Sequence, residues 1–318
     1  MTTKHAWSRR EVLASGLTAV AAIGASGVVG ADTVTKGLTH AGKGALPVRI
    51  TDGQVHIWQP GGKTPSASGR QTPFSAEQLL RQMDDANVDR AVIVTPSWSV
   101  HGNDYALASA RKYPDRLRVM GLCRFPGPED KTLIEGWNDS PGMAGMSMFL
   151  SFPQGAEWLS QGKGDWLWPM LEDQHIPLMI QAGDSLPELA SIARKHPGLK
   201  LCLGAFGLPT NVHGAKAAEA FAPVAELAKY PNVVIKTGAI PFMSEQAYPY
   251  ADIQRLLRRA YDAFGPNRLI FASDITLLKV PYKTCVDFWT EIDWLSDRER
   301  QLIMNDNITN WLNWPVSA

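Results

Sequence analysis

Cysteine is scarce, with three in 318 residues. Cys123, Cys202 and Cys285 lie far apart, each in or beside an apolar run, where a buried thiol is the ordinary outcome. An odd number without metal-site spacing argues against both a disulfide framework and a cysteine-held zinc. No Gly-x-Gly-x-x-Gly follows the first strand-like run, which weakens a dinucleotide site. No nucleophile elbow surrounds a serine, and Ser97 lacks a His/Asp partner pattern, which disfavours a serine hydrolase. Basic runs with interleaved aromatics are missing, and with them the footprint of a nucleic-acid binder. Beyond residue 31 no stretch approaches the roughly twenty apolar residues that a bilayer span needs.

The start of the chain is a different matter. Lys4, Arg9 and Arg10 precede an uncharged Ala/Gly/Val run from Leu13 to Gly30, and Val29-Gly30-Ala31 offers the small residues that a signal peptidase reads. Ser8-Arg9-Arg10-Glu11-Val12-Leu13 resembles a twin-arginine export signal. Residues 1–31 are therefore expected to be a cleaved signal, 32–46 a Gly/Thr/Lys-rich flexible leader, and 47–318 the folded part. Periplasmic or secreted localisation follows, with no stable membrane association after cleavage. Removing Lys4, Arg9, Arg10 and Glu11 from 31 basic and 31 acidic residues leaves 28 against 30. The residues after position 31 are enough chain for one large α/β domain.

Short apolar runs then alternate with helical patterns. The strands are expected at Val48–Ile57, Arg90–Thr95, Leu117–Leu122, Ala144–Leu150, Pro177–Gln181, Lys200–Ala205, Val233–Thr237 and Leu269–Ser273. Between them fall helices at Ser75–Asn87, Asp104–Tyr113, Glu129–Asn138, Asp165–Gln174, Leu186–His196, Lys216–Lys229 and Ile253–Phe264, with a closing pair at Lys283–Trp289 and Asp297–Trp311. Pro114-Asp115, Pro197-Gly198 and Gly265-Pro266 punctuate the joints. Eight such units fit a (β/α)8 TIM barrel better than an open sheet, and the Gly61–Thr72 stretch reads as a loop over its top.

Chemistry in such a barrel sits at the carboxyl ends of the strands. That rule selects Gln54, His56 and Trp58, then Ser97, Trp98, His101 and Asn103, and further along Arg124, Ser147, Gln181, Lys236 and Asp274. Trp58 and Trp98 are placed to stack on a flat substrate. Arg124 and Lys279, each following a strand, are candidates for a substrate carboxylate. His101 reads equally as a pocket-loop or a surface histidine.

Asp52-Gly53-Gln54-Val55-His56 resembles the first-strand Asp-x-His-x-His motif of the amidohydrolase superfamily. Ile176–Gln181, Leu201–Pro209, Asn232–Gly238 and Arg268–Asp274 resemble its fifth to eighth strands, and Asn305–Trp311 its last helix. The resemblance points to the amidohydrolase 2 subgroup, with dicarboxy-pyrone lactonase, sugar lactonases and aromatic-acid decarboxylases. It implies a metal site of four histidines and an aspartate, of which His56 and Asp274 survive while Gln54, Gln181 and Ala205 stand in the other positions. Amides are weak donors to zinc, and two good ligands are too few. The expectation is thus no metal and no other cofactor. Asp274 would be the general base or a structural carboxylate, His56 would orient water, and Gln54, Gln181 and Lys236 would polarise a carbonyl. The favoured activity is hydrolysis of a small lactone or cyclic ester. Decarboxylation and an inactive barrel kept as a binding protein are the rivals. A small-molecule substrate is the expected partner. Oligomeric state is left open, a homodimer being compatible with the sequence.

Overall fold

Runs such as Ala91-Val92-Ile93-Val94 are too short for helices and apolar on both faces, as strands of a covered parallel sheet must be. The computed structural model describes residues 49–61 and 69–314. The expected signal and leader, and most of the Gly61–Thr72 loop, lie outside the described residues. Eight strands run in chain order: β1 (Thr51–Val55), β2 (Arg90–Val94), β3 (Leu117–Leu122), β4 (Met143–Phe149), β5 (Leu178–Gln181), β6 (Leu201–Leu203), β7 (Val233–Gly238) and β8 (Leu269–Ala272). Each pairs in parallel with the next, which makes the (β/α)8 barrel.

The seam between β8 and β1 is closed differently. Asp274 N donates to Gln54 O at 3.0 Å. The rest is done by the buried carboxylate of Asp52, which accepts from Ser273 N and Gln54 N at 2.9 Å and from the Ser273 and Tyr282 hydroxyls.

Several boundaries shift for physical reasons. β1 ends at Val55, with a register shift between Asp52 and Val55, so His56 and Trp58 stand beyond it. β6 stops at Leu203, after which Ala205 and Phe206 turn into left-handed backbone (φ 44° and 57°). Gly136 divides the expected Glu129–Asn138 helix into Lys131–Glu135 and a 3-10 turn at Trp137–Asp139. Pro223, which lacks an N–H, falls where Lys216–Lys229 breaks into Ala215–Ala220, Ala222–Ala225 and a 3-10 turn. Helices at Pro153–Ser160 and Ile240–Met243 carry too little pattern to be foreseen. Capping boxes at Ser75/Gln78 and Ser296/Glu299 start their helices.

Two apolar layers result. Val55, Ile93, Met146, Ile180 and Phe271 point outward into the helix ring. Val92, Met120, Met179, Cys202 and Ile270 point inward, above a floor made by Ile308, Trp311, Leu312 and Trp314. A π-helical turn, Leu302–Asp306, sets the last helix on that floor. The Trp314 ring lies 4.9 and 5.3 Å from the guanidinium carbons of Arg90 and Arg118. All three cysteines are buried and free.

Candidate active site

At the carboxyl ends of β1, β7 and β8 four side chains form a continuous chain. Gln54 Nε2 donates to Asp274 Oδ2 at 2.8 Å, and Gln54 Oε1 accepts from Lys236 Nζ. His56 Nε2 stands 3.1 Å from Asp274 Oδ1. All but Gln54 are buried, Lys236 being 3% exposed. Local backbone explains the convergence. Gly53 lacks a Cβ that would sit 2.8 Å from Ile270 Cγ2 and Phe271 O and 3.7 Å from Lys236 Cδ, so strand 8 and the lysine stem both press close. Asp274 itself adopts left-handed backbone (φ 52°), a conformation that aspartate tolerates better than most residues.

The hydrogens around His56 can be placed by elimination. Val94 O can only accept, so His56 Nδ1, 2.7 Å away, carries a proton. The Nε2 lone pair of a neutral ring then faces the Gln54 amide nitrogen, a donor 3.3 Å away, with Asp274 Oδ1 beside it at 3.1 Å. Oδ1 makes no aligned hydrogen bond, and nearby Thr95 Oγ1 and Trp98 Nε1 are likewise buried without a partner. These atoms keep hydrogen-bonding capacity for a substrate.

Lys236 is an unusual occupant. Its ammonium has Gln54 Oε1 and, at 3.5 Å, Met179 Sδ as partners. Burial pushes its pKa down, while the neighbouring acids Asp274 and Asp52 oppose that shift. The four-histidine metal site does not fit here. Gln54 offers an amide already bound on both sides, Lys236 brings a positive charge against it, and the described residues contain no group of three His, Cys, Asp or Glu side chains able to hold an ion.

The remaining candidates are spread around the mouth. Gln181 Nε2 donates to Leu208 O at 2.8 Å, and a Cβ on Gly204 would lie 2.4 Å from its Oε1, so it faces the β6 loop. Trp58 is buried and bridged to Phe74. Trp98, half-buried, meets the His56 ring edge at 5.4 Å and Trp58 at 5.6 Å, forming a cover over the histidine. Arg124 is exposed and donates to Ser97 O. His101 and Lys279 are both exposed, and Ser147 is buried with its hydroxyl on Met120 O.

Sequence reasoning passed over Ser273 and Tyr282, and it used Asp52 only as a motif letter. Burial raises the pKa of Asp52 against the pull of its four hydrogen bonds, and raises that of Tyr282 as well. Nothing in linear spacing joins Asp52 to Tyr282; only barrel closure does.

A family model described as amidohydrolase matches residues 51–314. A search of curated proteins found no match. Among solved structures, an amidohydrolase from Burkholderia multivorans with bound zinc is similar at 20% identity and TM-score 0.70, covering 84% of this chain and 100% of that one. A probable 2-pyrone-4,6-dicarboxylic acid hydrolase from Acinetobacter baumannii, with citric acid bound, gives 18%, 0.68, 84% and 100%. A 5-carboxyvanillate decarboxylase from Novosphingobium aromaticivorans, complexed with manganese and a nitrobenzoic acid, gives 14%, 0.63, 84% and 96%. At these identities the structures speak for the fold.

Proposed function

We propose that this chain, which belongs to the amidohydrolase family, hydrolyses a small lactone or cyclic ester without a resident metal ion. The observation that carries the reading is the unbroken chain Lys236–Gln54–Asp274–His56. Asp274 takes a proton from water, whose oxygen bonds to the acyl carbon. The ring C–O bond breaks, the proton that Asp274 took from water goes to the leaving alkoxide, directly or through His56, and a hydroxy acid results. Lys236 supplies a fixed positive charge beside the developing oxyanion, and Gln54 positions it against Asp274. The decarboxylase relative is complexed with manganese; a donor set that does not suit such an ion favours hydrolysis here.

A panel of small lactones followed by base uptake tests this. Asp274→Asn should lower kcat/KM by roughly 10²–10⁴-fold, and a chelator should change nothing. Carbon dioxide release from aromatic acids, or turnover that survives Asp274→Asn, would sink the proposal.

A further inference from the structure

Opposite β8, the mouth carries apolar rings where a closed core would not leave them. Phe149 is the last residue of β4, in register with Gln181, two positions after Ser147, which is in register with the inward-pointing Met179. The adjacent Met146 and Met148 pack outward, so alternation aims Phe149 at the mouth. It is nevertheless 41% exposed, and Phe125, after β3, is 37% exposed. Phe152 joins them, its centroid 5.9 Å from Phe149 and 5.5 Å from Phe125, and the buried Trp158 backs Phe125 at 6.2 Å. Phe125 holds left-handed backbone (φ 38°), which a bulky residue rarely adopts and which costs energy unless the position is used.

The wall is continuous with the site. Arg124, next to Phe125, donates to Ser97 O, and neighbouring Trp98 covers His56. Small residues stand at the ends of the strands across the barrel: Gly238 ends β7 and Ala272 ends β8. A planar group thus has an aromatic surface on one side and strand ends without bulky side chains on the other.

We infer that Phe149, Phe152 and Phe125 form an aromatic subsite that selects lactones carrying a planar apolar ring fused or attached to the ester, in preference to sugar lactones. This rests on the lactone-hydrolase reading for the reaction but not for the binding. Offset or edge stacking on such a wall rewards an arene and does nothing for a polyhydroxylated ring.

The test measures binding by ligand-observed NMR titration of coumarin, an aryl lactone, and of δ-valerolactone, a six-membered lactone with neither the arene nor the ring double bond. Coumarin should bind the unmodified chain at least tenfold more tightly. Phe149→Ala and Phe125→Ala should each cut that preference at least threefold, Phe149→Leu should cut it partly, and Leu133→Ala, an exposed apolar residue on the outer helix ring, should leave it alone. Should Phe149→Ala fail to fold, Phe149→Leu and Phe125→Ala decide. Equal binding of the two lactones, or a preference that survives both aromatic substitutions, overturns the subsite. Turnover of either lactone bears separately on the hydrolase reading.

Discussion

His56 Nε2 stands 3.1 Å from Asp274 Oδ1 and 3.3 Å from Gln54 Nε2, while its Nδ1 donates to Val94 O at 2.7 Å. His56→Gln keeps a donor for the carboxylate but has no proton to lend. It should lower kcat by about 10²-fold with KM nearly unchanged, whereas a merely structural histidine would alter thermal stability and leave kcat alone. Steady-state kinetics beside a melting curve distinguishes the two.

The buried ammonium makes a prediction about ions. Gln54→His with Gln181→His rebuilds part of the imidazole set, yet the double variant should still take up little zinc because Lys236 remains beside it. Adding Lys236→Ala should raise the zinc content markedly. Elemental analysis after dialysis reads the result; equal zinc in the double and triple variants would show that the lysine has no part in excluding metal.

Stability should depend on pH through Lys236. Burial holds its folded pKa below the ordinary 10.5, so the unfolded chain binds more protons between those two values and stability rises with pH across that window. The thiol of Cys202, raised to about 11, stays neutral there, and Asp52 and Asp274 are the acids whose charge acts on the ammonium. Relative to Lys236→Met, the Tm of the unmodified chain should climb from neutral pH toward 10.5. A flat or falling difference refutes it.

Asp52→Asn tests the seam. The carboxylate accepts four hydrogen bonds, and an amide in its place has one acceptor oxygen and presents N–H groups to other donors. The loss should be about 1–3 kcal/mol, or roughly 3–8 °C in Tm. Activity should fall too, because Ser273 precedes Asp274. Tyr282→Phe removes one donor without adding a clash and should cost less. An unchanged Tm for Asp52→Asn would mean the seam is held elsewhere.

Much of the architecture was legible because strand and helix runs differ in length and periodicity, and Pro/Gly joints separate them. Gln54, His56, Lys236 and Asp274 could be found from strand ends alone, since a barrel brings those ends together. The wiring was less visible. Gln54 read as a carbonyl polariser, and its amide is instead consumed between Asp274 and Lys236. Gln181 read as part of the same group, but it turns to Leu208, because the short β6 brings the next loop within its reach. Phe125 and Phe149 left no mark in the sequence, where an aromatic at a strand end looks like core.

The floor of the barrel has a consequence for how the chain is made. β1 finds its anchors late: Thr51 Oγ1 donates to Asn305 Oδ1 at 2.8 Å, Arg49 N to Gln301 Oε1 at 3.1 Å, and the Asp52–Ser273 bond spans 221 residues. Until residues near 305–314 emerge from the ribosome, β1 and β8 both present unpaired edges that other strands can capture. At about 5–20 residues per second that wait is roughly 15–50 s for β1 and only a few seconds for β8. The open edges of the growing chain are thus a site for mispairing during synthesis, and the yield of folded barrel should respond to chaperone supply.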